Sequence, residues 1–393
     1  MDALQRGIIT LLRSGLTGES LCLPEGFDLK EAYSQMTRHC VQELCYLGAV
    51  NCGVDKKLPI MQKLFQDYAK QMICSERQMN ALRTLLQDFE KNGIDYLLLK
   101  GSVLKQLYPS PELRQMGDAD ILIRNEQYHK IRLIMAELGF AEKAVGPYDY
   151  TWDLPELHTE LHYRLASPAD VEFLGYFGDG WRRSKKTEKP CCYAYSIEDH
   201  LIYLFMHFAK HYRDSGIGLK HAVDLWVYAK AYPEMNGLYL KQELSKLHLW
   251  EFYCNIQNML QTWFSGSTAD EKTSFITNVI FESGAFGAHE TFLVSTGVRA
   301  AKRSGSSRTA QLRRAADVMF PSRETMTKRY PMLGKRPALL PIMWIVRGLR
   351  VLAVQPEKIR QQKNQIAVAT AEKIDAYQQA LNYVGLDFHF KED

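Results

Sequence analysis

YLLLKGSVLKQLYPSPELRQMGDADILIR, Tyr96 to Arg124, decides how this chain folds. Tyr96 to Leu99 is a short apolar run that ends at Lys100-Gly101-Ser102, the pattern of a buried strand entering a glycine turn. Glycine there lets backbone N–H groups come close to a ligand. The spacing predicts a short helix over about Val103 to Tyr108, with the positive end of its dipole toward that turn. Asp118-Ala119-Asp120 runs straight into Ile121-Leu122-Ile123, which predicts a second strand. Side chains alternate along a strand, so Asp118 and Asp120 point the same way. Two adjacent carboxylates repel, and a cation is the usual remedy. Mg2+ prefers carboxylate oxygen combined with substrate phosphate.

Downstream, Tyr148 to Leu154 alternates as a strand should, and Pro155 turns the chain. Leu157 to Leu165 then reads as a strand with His158, Glu160, His162 and Arg164 on one face and mostly apolar residues on the other. A polar row facing a core would be costly, so it is expected to face a cleft. Asn125 to Leu138 reads as a helix closed by Gly139.

Upstream, residues 2 to about 93 read as helical. Helices are expected over an N-terminal amphipathic stretch, about Leu29 to Leu47, about Leu58 to Ile73, and from a Ser75 cap to Asn92-Gly93. Beyond Pro190, Ser196 caps a helix that carries His200, His207 and His211. Arg213 to Gly218 reads as a loop, and Leu219 to Ala231 as a helix bearing Lys220, His221 and Asp224. His207 and His211 lie one turn apart, a spacing that can bind metal. The glutamate of a zinc-protease motif is missing, and a polar seam at the cleft is the favoured reading. Further helices are expected over 238–247, 249–264 and 269–281, around 340–354, and over about 357–384.

The eight cysteines form no CxxC pair. Scattered in a chain of this size they read as reduced and packed, which points to a cytoplasmic protein. No stretch approaches the roughly 20 apolar residues of a membrane span, and the N-terminus lacks signal-peptide character. The net charge of +4 is unevenly spread. Residues 299–363 carry 16 Lys/Arg against 3 Asp/Glu, which leaves 33 basic and 42 acidic side chains elsewhere. That segment can meet an anionic partner, or it can be a solvated face that balances an acidic body.

The glycine-serine turn followed by an Asp-x-Asp strand resembles the nucleotidyltransferase (polymerase-beta-like) superfamily. LLLKG, LYPSPELRQMGDADILI and ELHYRL resemble, more narrowly, a large bacterial group of uncharacterised nucleotidyltransferases. The motif core covers about Ile94 to Leu165. SIEDHLIYLFMHFAKHYRDSGIGLKHAVDLWVYAK and FPSRETMTKRYPMLGKRPALLP extend the likeness over most of the chain.

The resemblance implies an α+β fold, a small mixed nucleotidyltransferase-type sheet with helices, flanked by N- and C-terminal helical regions. The expected domains are a helical subdomain (1–93), the catalytic domain (94–190), a helical domain (191–285) and a basic helical region (286–393). It implies transfer of an NMP group from an NTP to an acceptor, with Mg2+ or Mn2+ held by Asp118, Asp120 and Glu160. Gly101 and Ser102 would hold phosphates, and Lys100 and Arg114 would neutralise them. His162, His207, His211, Arg213, Lys220 and Asp224 are candidates for the acceptor side. Two features depart from the pattern: glutamate at 160, where aspartate is frequent, and a longer stretch between Ser102 and Asp118. The acceptor, whether small molecule, protein or RNA, is not legible. A catalytically inactive nucleotide- or partner-binding protein and a nucleic-acid binder using the basic segment are the alternatives.

Overall fold

The two alternating segments become the centre of a seven-stranded mixed sheet. Its strands are β1 (Tyr96–Leu98), β2 (Asp118–Ile123), β3 (Ala141–Val145), β4 (Asp149–Asp153), β5 (His158–His162), β6 (Lys185–Lys186) and β7 (Cys192–Ala194), in the spatial order β3-β4-β5-β2-β1-β7-β6. β2 runs antiparallel to β1 and parallel to β5, and β7 joins parallel to β1. The sheet thus draws a strand from beyond Pro190. The structure is a computed structural model that describes residues 1–166, 170–285, 287, 289–304, 323, 326–327, 330–334, 337–346 and 370–387. The chain divides into two compact units, Met1–Tyr212 with Ile217–Phe286 and Arg213–Gly216 with Gly287–Phe388.

In the first unit, α1 (Ala3–Thr17), α2 (Leu29–Arg38), α3 (Gln42–Asn51) and α4 (Pro59–Lys91) precede the sheet. Asp2 and Gln5 form a capping box that starts α1. The single helix expected over Leu29 to Leu47 is two helices. Cys40 adopts φ +54°, a left-handed conformation that breaks the run. The break is held in place by His39, whose ring is buried between the Phe281 carbonyl and the Leu219 N–H. The two helices expected to meet at Ser75 are instead one helix of 33 residues, with Ser75 buried in its middle. Met61 and Leu64 at one end and Leu82, Leu85 and Phe89 at the other are buried, and the helix runs unbroken through Ser75 between them, so the capping signal is overridden.

One face of the sheet is apolar. Ala119, Ile121, Ile123, Trp152 and Leu161 pack against Leu82, Leu85 and Phe89 of α4 and Ile131, Ile134 and Met135 of α6 (Tyr128–Glu137). α5 (Lys100–Leu104) follows β1, and α7 (Val171–Phe177) follows β5. α8 (Ile197–Asp214), α9 (Leu219–Ala231), α10 (Gly237–Lys246), α11 (Trp250–Ser265) and α12 (Glu271–Ser283) complete the helices of this part of the chain. The expectations for 219–231, 238–247, 249–264 and 269–281 match these within a few residues.

In the second unit, α13 (His289–Ser304) packs on α14 (Ala371–Tyr383). Arg213 and Arg299 both bond the Asp214 carboxylate there, at 3.0 and 2.9 Å. Most of the basic 299–363 segment, and the expected helices around 340–354 and 357–384 in part, lie outside the described residues. Among the described residues no helix is long and apolar enough to cross a membrane.

α1 and α3 cross with their backbones in contact. A Cβ added to Gly48 would sit 1.9 Å from the Leu11 carbonyl oxygen, which cannot move without breaking α1. Gly48→Ala is expected to cost about 1–3 kcal/mol by overpacking. Gly237→Ala, where nothing lies within 4 Å, is expected to be neutral or slightly stabilising. Parallel thermal melts of the two variants check this.

Candidate metal and nucleotide site

The polar face of the sheet is set by register. Asp120 pairs with Glu160 and Asp118 with His158 across the parallel β2–β5 ladder, so all four project to one side. His162 lies two residues further along β5, on the same side. Its Nε2 is 2.8 Å from Asp120 Oδ1 and 3.4 Å from Glu160 Oε2. Lys100 Nζ donates to the same Asp120 oxygen at 2.6 Å. The lysine reaches it from a residue with φ +40°, an uncommon conformation for a side-chain-bearing residue, at the first position of α5. The Leu99 N–H bonds the Asp120 carbonyl at 3.0 Å and fixes the strand end against β2.

Electrostatics follow from this convergence. Burial opposes ionisation of Asp120, but Lys100 and His162 outweigh it and hold its carboxyl well below the usual range. The His162 hydrogen bond likewise lowers Glu160. Burial works against a charge on His162, yet its bonds to Asp120 and Glu160 raise its pKa. Asp118 moves the other way: burial first, then the charge of Asp120, raises it.

Asp120, Glu160 and His162 each offer a ligand atom within 4.8 Å of the other two. Asp118, expected from sequence in the same set, is outside that cluster, and His162, expected on the acceptor side, is inside it. Two carboxylates and an imidazole suit a divalent cation. They fit such an ion here because Asp120 Oδ1, where Lys100 and His162 converge, is where an ion would take over the neutralising charge. The second Asp120 oxygen remains to be offered.

The other candidates fall into place around this centre. Gly101 lies in the first turn of α5, and no positive φ is needed there. A Cβ on it would meet Arg114 Nη1 at 2.7 Å, so glycine serves close approach. Ser102 is buried, its Oγ 3.9 Å from Met116 Sδ. Arg114 and Asp224 form one buried bidentate pair, with both Nε and Nη2 at 2.8 Å, and the Tyr108 hydroxyl donates to the same carboxylate at 2.8 Å. The inserted loop is tied down elsewhere too. Tyr68 donates to Glu112, Gln78 to the Met116 carbonyl, Gln115 to Glu43, and Lys105 to the Arg114 carbonyl.

His207 and His211 have ring centroids 4.3 Å apart and stand outside any three-ligand cluster among the described residues. Burial, reinforced by the charge of Lys100 and by His211 and His221, holds His207 well below its ordinary pKa. Burial and the Arg114 charge lower Lys220, and Asp118 is within electrostatic reach of it. Arg213 belongs to the second unit, bonded to Asp214.

Three residues near the site are not among the expected site residues, although the sequence places His221 on its helix. Tyr148 lays its ring parallel to His162, centroids 6.2 Å apart, with Lys210 over its outer side at 5.6 Å. His221, whose buried Nδ1 has no partner, shares the electrostatic environment of Lys100 and His211. Glu43, from a helix without obvious chemistry, anchors the loop through Gln115. The alternation of YDYTWDL placed Tyr148 beside β5; nothing local marked Glu43.

A model of the family described as uncharacterised nucleotidyltransferase matches residues 25–265, more than half of the chain. The chain belongs to that family. No curated protein and no solved structure matches it. For a member of the nucleotidyltransferase family, the matched range takes in the whole sheet together with α8 and α9, so the carboxylate face and the Arg114–Asp224 pair both lie within it.

Glu43 supplies a pH test of the loop anchor. Burial, only partly offset by the Gln115 bond, raises its carboxyl from 4.5 to about 7. The folded state therefore holds a proton that the unfolded state has lost between these values, and stability falls as pH rises through that window. At about 1.4 kcal/mol per pKa unit the difference is about 3 kcal/mol. Glu43→Gln is expected to leave the melting temperature at pH 4.5 nearly unchanged, raise it at pH 8, and flatten the slope between them.

Proposed function

We propose that the protein is a metal-dependent nucleotidyltransferase that moves an NMP group from an NTP to a hydroxyl or similar acceptor and releases pyrophosphate. The observation that carries this is the Asp120–Glu160–His162 convergence on the polar sheet face of a family member. The acceptor oxygen forms a bond to the alpha-phosphorus, the bond from that phosphorus to the leaving pyrophosphate breaks, and the acceptor proton passes to a base.

Asp120, Glu160 and the neighbouring Asp118 hold the divalent cation, Mg2+ or Mn2+, with His162 as a further ligand. When bound, such an ion neutralises charge on the phosphate oxygens. Lys100 and the backbone of Gly101 and Ser102 lie on the nucleotide side. Arg114 has Nη1 turned toward Gly101 and so adds positive charge there, while Asp224 fixes its plane. Glu160, whose carboxylate stays ionised with either His162 or the ion beside it, takes the acceptor proton. His207, His211, Lys220 and His221 form the acceptor side, from α8 and α9.

A second reading, a non-catalytic nucleotide-binding protein of the same fold, draws on one observation. Lys100 and His162 already satisfy Asp120 without an ion.

Thermal shift with each NTP, with and without Mg2+ or Mn2+, tests the donor site. A nucleotide present at about 100 times its Kd adds about 2.7 kcal/mol to the folded state. The shift is expected to require metal and to vanish in Asp118→Asn and Glu160→Gln. These two positions are half-buried and less prone to misfold than Asp120, whose loss strands a buried lysine. Label from an alpha-phosphate-labelled NTP is expected to reach an acceptor with release of pyrophosphate, reduced at least ~100-fold in both variants. A metal-dependent shift without any transfer in an acceptor screen would favour the second reading.

A further inference from the structure

Away from the carboxylate face, the first unit contains a cavity of about 540 Å³ between α1, the turn at 107–109, α9 and the C-terminal end of α11. That volume lies in the range of small-molecule sites. One wall is an aromatic pair: Trp226 and Phe264 stack with centroids 5.0 Å apart and planes 26° apart. The Lys230 ammonium lies 4.6 Å from the centre of the Trp226 ring. Arg13 lines the same cavity and is only partly answered. Its Nη2 bonds Glu19 at 3.2 Å, but its Nε is buried without a partner. Two cations thus line the cavity against one carboxylate, and one buried donor is unfilled. The Nε itself is covered, so a bound anion would meet the accessible part of the Arg13 side chain, which is 30% exposed.

From this geometry we infer a binding site for a small planar aromatic molecule that carries one anionic group. The ring lies beside Trp226 and Phe264, and the anion meets the guanidinium of Arg13 and the ammonium of Lys230. The two rings are themselves buried and offer only a narrow rim to the cavity, which an aromatic body can meet edge-to-face. A single negative charge matches the surplus of one cation. The cavity also borders the clasp described above. Tyr108 contributes to its wall while its hydroxyl holds Asp224, so an occupant touches the residue that orients Arg114. The site stands whether or not the protein transfers nucleotides.

Indole-3-carboxylate, with uncharged indole as its counterpart, is the probe pair, titrated calorimetrically into the full-length protein without nucleotide or metal. The carboxylate is expected to bind with one-to-one stoichiometry and at least tenfold more tightly than indole. Lys230→Met, at an exposed position, and Arg13→Met are each expected to erase most of that difference. Trp226→Leu is expected to weaken both probes. Should Arg13→Met or Trp226→Leu fail to fold, Lys230→Met and the comparison of the two probes still decide the matter. Equal affinity for the two probes, or a preference that Lys230→Met leaves intact, overturns the inference. So does failure of the carboxylate to bind at millimolar concentration.

Discussion

The carboxylate of Asp120 is the constraint on which the site is built. It is almost fully buried and sits next to a second aspartate and across from a glutamate. An isolated carboxylate in that position would protonate or unfold its surroundings. Lys100 and His162 converge on one of its oxygens instead. The left-handed Lys100 follows from that need. From the end of β1 the lysine reaches β2 with a backbone that an ordinary side-chain-bearing residue avoids. The strain is offset by a charge-assisted bond in a low-dielectric setting, where such bonds are strongest.

The second constraint is the loop between α5 and β2. It is long enough to be mobile, yet it is tied at four points: to α4 by Tyr68 and Gln78, to α3 by Glu43, and to α9 by Arg114. The Arg114–Asp224 pair is not primarily a source of stability, because desolvating two ions consumes most of what their attraction returns. What it supplies is position. A bidentate pair fixes the plane of the guanidinium, and Tyr108 fixes the carboxylate. The close approach of Arg114 to Gly101 then carries that fixed plane to the turn after β1. In this way α9, distant in sequence, sets the shape of the turn.

Much of this was legible in the amino-acid sequence where the signal is local. Period-two alternation in DADILI and LHTELHYRL placed the carboxylates on one face before any fold was known, and the helix over 219–231 was readable to the residue. What escaped depends on contacts between distant residues. Ser75 has the form of a cap, but the core face of α4 runs through it, and tertiary packing wins over a capping preference of about 1 kcal/mol. Nothing near Cys40 announces a break; the reason is His39 reaching residues 219 and 281. Arg114 was expected to neutralise phosphate, and its pairing with Asp224 was not legible because that partner lies 110 positions away. Gly101 was expected to let a ligand come close; the close approach seen at its Cα is that of the Arg114 guanidinium, which no local signal announces.

The same register serves both stability and chemistry. Sliding β5 by one residue against β2 would turn Leu161 toward the polar side and Glu160 toward Ile131 and Phe89. The apolar face would lose its core and Asp120 its histidine in a single step. The pairing Asp120↔Glu160 is therefore enforced twice, by hydrophobic burial on one side and by charge balance on the other. Each face alone tolerates substitution, but a slip satisfies neither. This coupling explains how a strand of only five residues, β5, can carry three ionisable side chains and still hold one alignment. Asp120, Glu160 and His162 sit at the centre of the sheet, where neighbouring ladders on both sides fix their spacing.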